Sequence, residues 1–344
     1  MFPRMKYSMR HRISLVGRDG ARNGKRFQEV DASVISQFHT PWPETLRTLV
    51  GPELRKWLSP PDPWENYNIT RETFLEGTGR WFTQGDAFAK WKSSKPLLWV
   101  HGKRLSMSIL VHTVAEINDV TAGSGKSFLR YAVLIKSPFR RTFISRSSAI
   151  IHDLERMRGR GSASVVFFFF DFRHDEKQTR RNLLSSLLVQ LCDNSNIYYD
   201  ILFRCYAECH NGSRQPSNNE VTECLKEMLN VQRQDPIYFT IDALDACPAN
   251  VGTPSARETV LKLVRELVDL RCPNLHICIT SRPEPDIKAV LSPLAFHAVS
   301  IHDQEGHRQD INDYVRHIVA SVKNWRPGDK KLVIDTLCKR ADGM

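Results

Sequence analysis

Residues 96–103 read PLLWVHGK, and residues 121–129 read TAGSGKSFL. The second stretch holds Gly125, Lys126 and Ser127, the closing half of the phosphate-loop pattern G-x-x-x-x-G-K-[ST]. The opening glycine belongs at position 120, which is Val120. A phosphate loop joins the end of a strand to the start of a helix, so that backbone N–H groups surround the phosphates. PLLWVHG is a strand-sized apolar run that ends on Gly102. Excising residues 104–121 joins the two stretches as HGKAGSGKS. Gly102 then stands where the pattern needs its first glycine, with Ala122, Gly123 and Ser124 completing the loop.

A second irregularity follows. The helix after the loop is broken by Pro138, which costs about 3 kcal/mol in a helix interior. Excising 131–146 gives GKSFLRSSAIIHDLERM, one amphipathic helix with Ile150, Leu154 and Met157 on one face. Two segments, 104–121 and 131–146, thus interrupt a pattern that closes without them. They read as translated introns or errors of gene prediction; the alternative is genuine surface insertions.

From residue 96 onward, strand and helix alternate. SVVFFFFDF (164–172), PIYFTIDALD (236–245), NLHICITSRP (274–283) and AFHAVSIHD (295–303) follow the first strand. Between them lie helical runs such as KQTRRNLLSSLLVQLC (177–192) and ARETVLKLVRELVDL (256–270). Continuous apolar strands alternating with helices predict an α/β fold with a parallel sheet covered on both faces. Two more helices, RQDINDYVRHIVASV and KKLVIDTLCKRADGM, follow over 304–344. Before the sheet, residues 1–45 read as a basic tail and 46–95 as a helical, aromatic-rich segment. Trp57, Trp64, Trp81 and Trp91 fall in the latter and predict packing rather than a ligand cage.

The 344 residues, 41% hydrophobic and 25% charged, are those of an ordinary globular chain. The longest apolar run, VVFFFF, is far short of the roughly 20 residues that span a bilayer, so no membrane partner is expected. The formal net charge of +11 is concentrated in two places. Residues 1–30 hold Arg4, Lys6, Arg10, Arg12, Arg18, Arg22, Lys25 and Arg26 against Asp19 and Glu29; residues 131–146 hold Lys136, Arg140, Arg141 and Arg146 with no acid. The sheet region carries no basic footprint, so no nucleic-acid partner is expected. The eight cysteines are scattered, the closest set being Cys205, Cys209 and the adjacent His210. No second ligand pair accompanies them, and they read as reduced thiols on a half-buried helix in a cytoplasmic protein.

The ordered set WLSPPDPWENYNI, GTGRWFTQGDAFAKWK, LLWVHGK, AGSGKS, FFFFDFR, TIDALDAC and ICITSRPEPDI resembles fungal NACHT-type STAND NTPases with a nephrocystin-3-like N-terminal domain. The resemblance covers about residues 50–344 apart from the interruptions. It implies a P-loop domain over 96–303 with strand order 5-1-4-3-2. It also implies a signalling switch in which exchange of bound nucleotide, ATP or GTP with Mg2+, drives opening and self-association. A winged-helix segment and repeats usually follow in such proteins, and the sensing half is expected to lie outside this chain.

Roles follow residue by residue. Lys126 reaches the β/γ-phosphates and Ser127 ligates Mg2+. Gly123 and Gly125 let the backbone approach the phosphates. Asp242, an unpaired carboxylate ending an apolar strand, calls for a cation, with Asp245 assisting or capping a helix. By resemblance, Arg282 is the arginine that detects the γ-phosphate, as a guanidinium at a strand end is able to do. Ala246 stands where the family carries the glutamate that activates water, which leaves Asp245 as the remaining candidate base. HDEK (174–177) reads as a solvated helix start. Three readings stay open: a slowly hydrolysing switch, a non-hydrolysing nucleotide-binding module, and an inactive chain with retained introns.

Overall fold

The computed structural model describes residues 12–15, 28–31, 44–72, 75, 77–94, 96–102, 144–231, 235–301, 303–321 and 325–342. Ala122, Gly123, Ser124, Gly125, Lys126 and Ser127 lie outside these residues, as do the whole of 104–121 and residues 131–143 of the second interruption.

In chain order, a short antiparallel pair β1 (Arg12–Leu15) and β2 (Gln28–Asp31) falls within the stretch read as tail. Helices α1 (Glu44–Leu58), α2 (Trp64–Glu72), α3 (Arg80–Thr83) and α4 (Asp86–Ser94) precede β3 (Leu97–His101). Then come α5 (Ile144–Gly159), β4 (Ser164–Phe169), α6 (Arg180–Asn194), α7 (Ile197–Glu208), α8 (Asn218–Leu229) and β5 (Ile237–Asp242). The chain continues through α9 (Ala256–Asp269), β6 (Leu275–Ser281), α10 (Pro285–Leu294), β7 (His297–Ser300), α11 (Glu305–Ser321) and α12 (Pro327–Asp342). Helix α5 begins inside the segment proposed for excision, so its first turn is drawn from residues 144–146.

The chain divides into two compact units, one of Met1–Pro60 with Leu188–Asn230, the other of Pro61–Leu187 with Val231–Met344. In the smaller unit Trp57 anchors α1. Its Nε1–H donates to the Arg214 carbonyl at 2.9 Å, Gln215 Nε2 returns a bond to the Trp57 carbonyl at 2.8 Å, and Tyr206 meets its ring edge-on at 5.2 Å.

The larger unit contains the sheet, ordered β4-β5-β6-β3-β7 with every neighbouring pair parallel. This is the expected order of fifth, first, fourth, third and second strand. Every residue of β4, β5 and β6 is buried, as a parallel sheet covered on both faces requires. One face packs Leu98, Val100, Val165, Tyr238 and Cys278 against Phe88 and Trp91 of α4 and Ile150 and Leu154 of α5. Trp91 also donates its Nε1–H to the Ile277 carbonyl at 3.0 Å, so the aromatic segment is packing, as predicted. A second cluster joins Tyr67 and Trp64 of α2 to Ile151, Phe167 and Phe169. The register sets Phe169 beside Asp242, and His101 beside Ser281. The carboxyl ends of the four strands β3 to β6 therefore form one edge.

Candidate functional site

Asp242 is the last residue of β5 and is 4% exposed. It is not the unpaired carboxylate that the sequence suggested. Ser147 Oγ of α5 and Thr280 Oγ1 of β6 both donate to its Oδ1. Thr280 Oγ1 in turn accepts the N–H of Ala243 at 3.1 Å. Burial pushes the Asp242 carboxyl up to about 6, against the pull of the two hydroxyls, and the nearby Asp245 adds to the rise. Ala243 has φ 53° and ψ 45°. A non-glycine residue there costs roughly 1–2 kcal/mol, so the chain turns sharply away from the sheet immediately after the carboxylate.

The turn Leu244–Ala246 places Asp245 against Arg282, just beyond the end of β6. The Arg282 Nε–H donates to Asp245 Oδ2 at 2.5 Å and its backbone N–H to Oδ1 at 2.9 Å. Glu284 lies 3.4 Å from the other side of the guanidinium. The two residues assigned separate catalytic roles from sequence are thus paired with each other. Arg257 of α9, 9% exposed, braces this turn from behind. It donates to the carbonyls of Cys247 at 2.9 Å and Asp245 at 2.8 Å, and pairs with Asp286 at 3.2 Å. Ala246 contributes only its N–H, to the Ala243 carbonyl at 2.8 Å.

A polar network that sequence reasoning missed lies past the end of β4. Asp171 accepts from Arg173 Nε at 2.9 Å and from Asn66 Nδ2 at 3.3 Å. Burial alone would raise Asp171; the Arg173 hydrogen bonds outweigh it and bring the carboxyl down to about 2. HDEK starts a short helix with Asp175 and Glu176 exposed, as read from sequence, and Lys177 is the exception. It is 3% exposed and donates to Asn66 Oδ1 at 2.5 Å and to Glu65. A buried ammonium is tolerated only when paired, and α2 supplies the pair. The sequence signal for this was the polar pair Glu65–Asn66 set between Trp64 and Tyr67.

Gly102 is buried and donates its N–H to the Ser281 carbonyl at 3.4 Å, which keeps β3 and β6 in step to the rim. The fold therefore gathers Gly102, Asp242, Asp245 and Arg282 at one sheet edge. Ser147 and Thr280 complete the Asp242 surroundings, and neither carries a sequence signature of its own. Among the described residues, no group of three or more His, Cys, Asp or Glu side chains is placed to hold a metal ion. No helix among them is long and apolar enough to cross a membrane.

Compared with known families, residues 141–282 match the family described as nephrocystin 3, N-terminal. The match runs from six residues before Ser147 to Arg282 and includes Asp242, Asp245 and Thr280. It begins inside the second interruption and beyond Lys126 and Ser127. No curated protein matches the chain.

Proposed function

We propose that the chain is the nucleotide-binding domain of a NACHT-type STAND switch, taking ATP or GTP with Mg2+ and hydrolysing it slowly or not at all. The observation that carries this reading is the contact between Ser147 and Asp242. In the uninterrupted pattern, Arg130 joins Ser147, and Ser127 falls one helical turn before it on the same face. That face is the one turned to Asp242. Ser127 would then stand about 6 Å nearer the helix start, beside the strand-end carboxylate and directly after the backbone amides of Gly123–Lys126 in the chain. Ligands of open parallel sheets sit outside the carboxyl ends of the strands, and this edge has the polar groups for one.

Within this reading, Ser127 and Asp242 would hold Mg2+, whose charge would offset that of the phosphates and favour the ionised form of Asp242. Lys126 contributes a charge-assisted contact to the phosphates, and Arg282 stands near enough to the rim to meet a terminal phosphate once released from Asp245. Slow or absent hydrolysis is favoured by one specific observation. Ala246 carries no carboxyl, and Asp245 is committed to Arg282.

Calorimetric titration with MgATP and MgGTP tests the proposal, on the full chain and on a form lacking 104–121 and 131–146. The excised form is expected to bind in a Mg2+-dependent manner and to lose most of its affinity in Lys126→Ala, since such a contact contributes about 1.5–3 kcal/mol. Absence of binding in both folded forms would remove the nucleotide reading.

A further inference from the structure

Besides its aromatic contacts, α2 holds a buried charge. Lys177 ends the turn Asp175–Lys177 and is 3% exposed. The side chains that take its ammonium, Glu65 and Asn66, both belong to α2. Asn66 also donates from its amide nitrogen to Asp171 at 3.3 Å, so α2 grips both ends of the 171–178 loop. The loop is closed on itself. The Lys177 N–H donates to the His174 carbonyl at 2.8 Å, and the Lys177 carbonyl accepts the Asp171 N–H at 3.3 Å. The next residue, Gln178, carries the connection onward. Its carbonyl accepts the thiol of Cys247, which is 0% exposed, at 3.3 Å. Arg257 then joins the Cys247 and Asp245 carbonyls, and Asp245 holds Arg282. Hydrogen bonds thus run from α2 to the Asp245–Arg282 pair by way of a buried ammonium and a buried thiol.

We propose that α2 is a clamp on the turn after β5: docked, it fixes the Asp245–Arg282 pair through Lys177 and Cys247, and lifted, it lets that pair loosen. A chain of contacts conducts a change only where some element has two discrete arrangements. Here that element is the Lys177 ammonium. It is either buried against α2 or hydrated, because an ammonium without partners does not stay out of water. Withdrawing Glu65 and Asn66 therefore sends it outward. Lys177 belongs to a three-residue turn and is bonded at both its N–H and its carbonyl, so reorienting this buried side chain moves the turn. The Gln178 carbonyl moves with it, and the Cys247 thiol loses its acceptor in a place that water does not reach. The Cys247 segment then relaxes, and with it the carbonyl through which Arg257 braces Asp245. Glu65 is exposed, whereas Asn66 and Lys177 are buried, so the clamp is released from its Glu65 side.

The test is residue-resolved hydrogen exchange on the full chain, and its readout is independent of nucleotide. In Glu65→Ala, two amides should exchange several-fold faster: that of Cys247, bonded to the Leu244 carbonyl at 3.1 Å, and that of Arg282, bonded to Asp245 at 2.9 Å. The Ile277 amide of β6, bonded to the Pro96 carbonyl at 2.7 Å, should keep its rate. Adding Lys177→Met removes the charge that needs α2, and should restore slow exchange at Cys247 and Arg282. Cys247→Ala cuts the link, so Glu65→Ala should add no further acceleration at Arg282 in that background. The proposal fails if Glu65→Ala accelerates only residues 171–178, if it accelerates Ile277 as much as Arg282, if Lys177→Met does not restore the slow rates, or if the effect at Arg282 survives in Cys247→Ala.

Discussion

At Asp242, burial and hydrogen bonding pull in opposite directions, and burial wins. The carboxyl sits at about 6, above its ordinary 3.8. Between these values the folded chain keeps a proton that the unfolded chain has released. The stability this lends is full below about pH 3.8 and gone above about pH 6. The gap corresponds to about 3 kcal/mol. Asp242→Asn removes the charge and keeps the shape, and the Ser147 and Thr280 hydroxyls are able to accept from its amide. Its melting temperature relative to the parent should rise between pH 4 and 7 in Mg2+-free buffer; a difference independent of pH would show that no such penalty exists. Ser147→Ala should behave oppositely. It deprives the ionised carboxylate of a donor, which costs about 1.5–3 kcal/mol, so the loss in urea melts should be larger at pH 8 than at pH 4. An equal loss at both pH values would mean that Ser147 packs there without serving the charge.

Among the elements, α11 is fixed to α3 by one close approach. Gly306 lies against Trp81, where an added Cβ would come 2.3 Å from the indole Cγ. The indole has no room to yield, because its Nε1–H donates to Asp310 at 2.8 Å and the same carboxylate oxygen holds the Gly79 N–H at 2.9 Å. Gly306→Ala gains up to about 1 kcal/mol of helix propensity and loses about 1–3 by overpacking. The net should be destabilising by chemical denaturation. In a Trp81→Ala background the same substitution should become neutral or stabilising, and a loss that persists there would place the cost elsewhere. Four of the five strands were legible because each is a largely apolar run closed by Gly102, Asp171, Asp242 or the Arg282–Pro283 pair; the edge strand HAVS is half exposed and was legible from the strand–helix alternation. Helix α7 was legible only as the half-buried helix carrying Cys205, and its extent was not, because IYYDILFRCYAE is apolar or aromatic over most of its circumference and shows no clean period. Helix α8 had a signal that passed unread: Ser217 and Glu220 form a reciprocal capping box ahead of Val221, Leu225 and Met228. The acidic rim was legible as Asp242 and Asp245. Its actual partners were not, since a helical serine or a strand threonine acquires its role only when distant segments meet.

For the molecule as a whole, the sheet order decides what folds with what. Among the described residues β3 pairs with β6 and β7 and with no other strand, although β4 and β5 precede both in the chain. A chain stopped at Leu270 keeps β3, β4 and β5 but leaves β3 with no neighbour in the sheet. It should show no cooperative thermal transition and should bind a hydrophobic dye, whereas a sharp transition in it would mean that β3 is dispensable. This non-local pairing is also the kind that slows folding, because chain entropy is lost before the contacts that reward it.

The same strand order has a consequence during synthesis. Leu97, Leu98, Trp99 and Val100 leave the ribosome long before Leu275–Ser281 exists to receive them. At about 5–20 residues per second, the interval is roughly ten to forty seconds. Through that interval the nascent chain displays a sticky tetrapeptide with no strand beside it, although α4, already made, and α5, made soon after, are able to cover one of its faces. Holding factors that recognise short apolar segments would find their substrate there, and translation pauses placed between β3 and β6 would lengthen the exposure rather than relieve it.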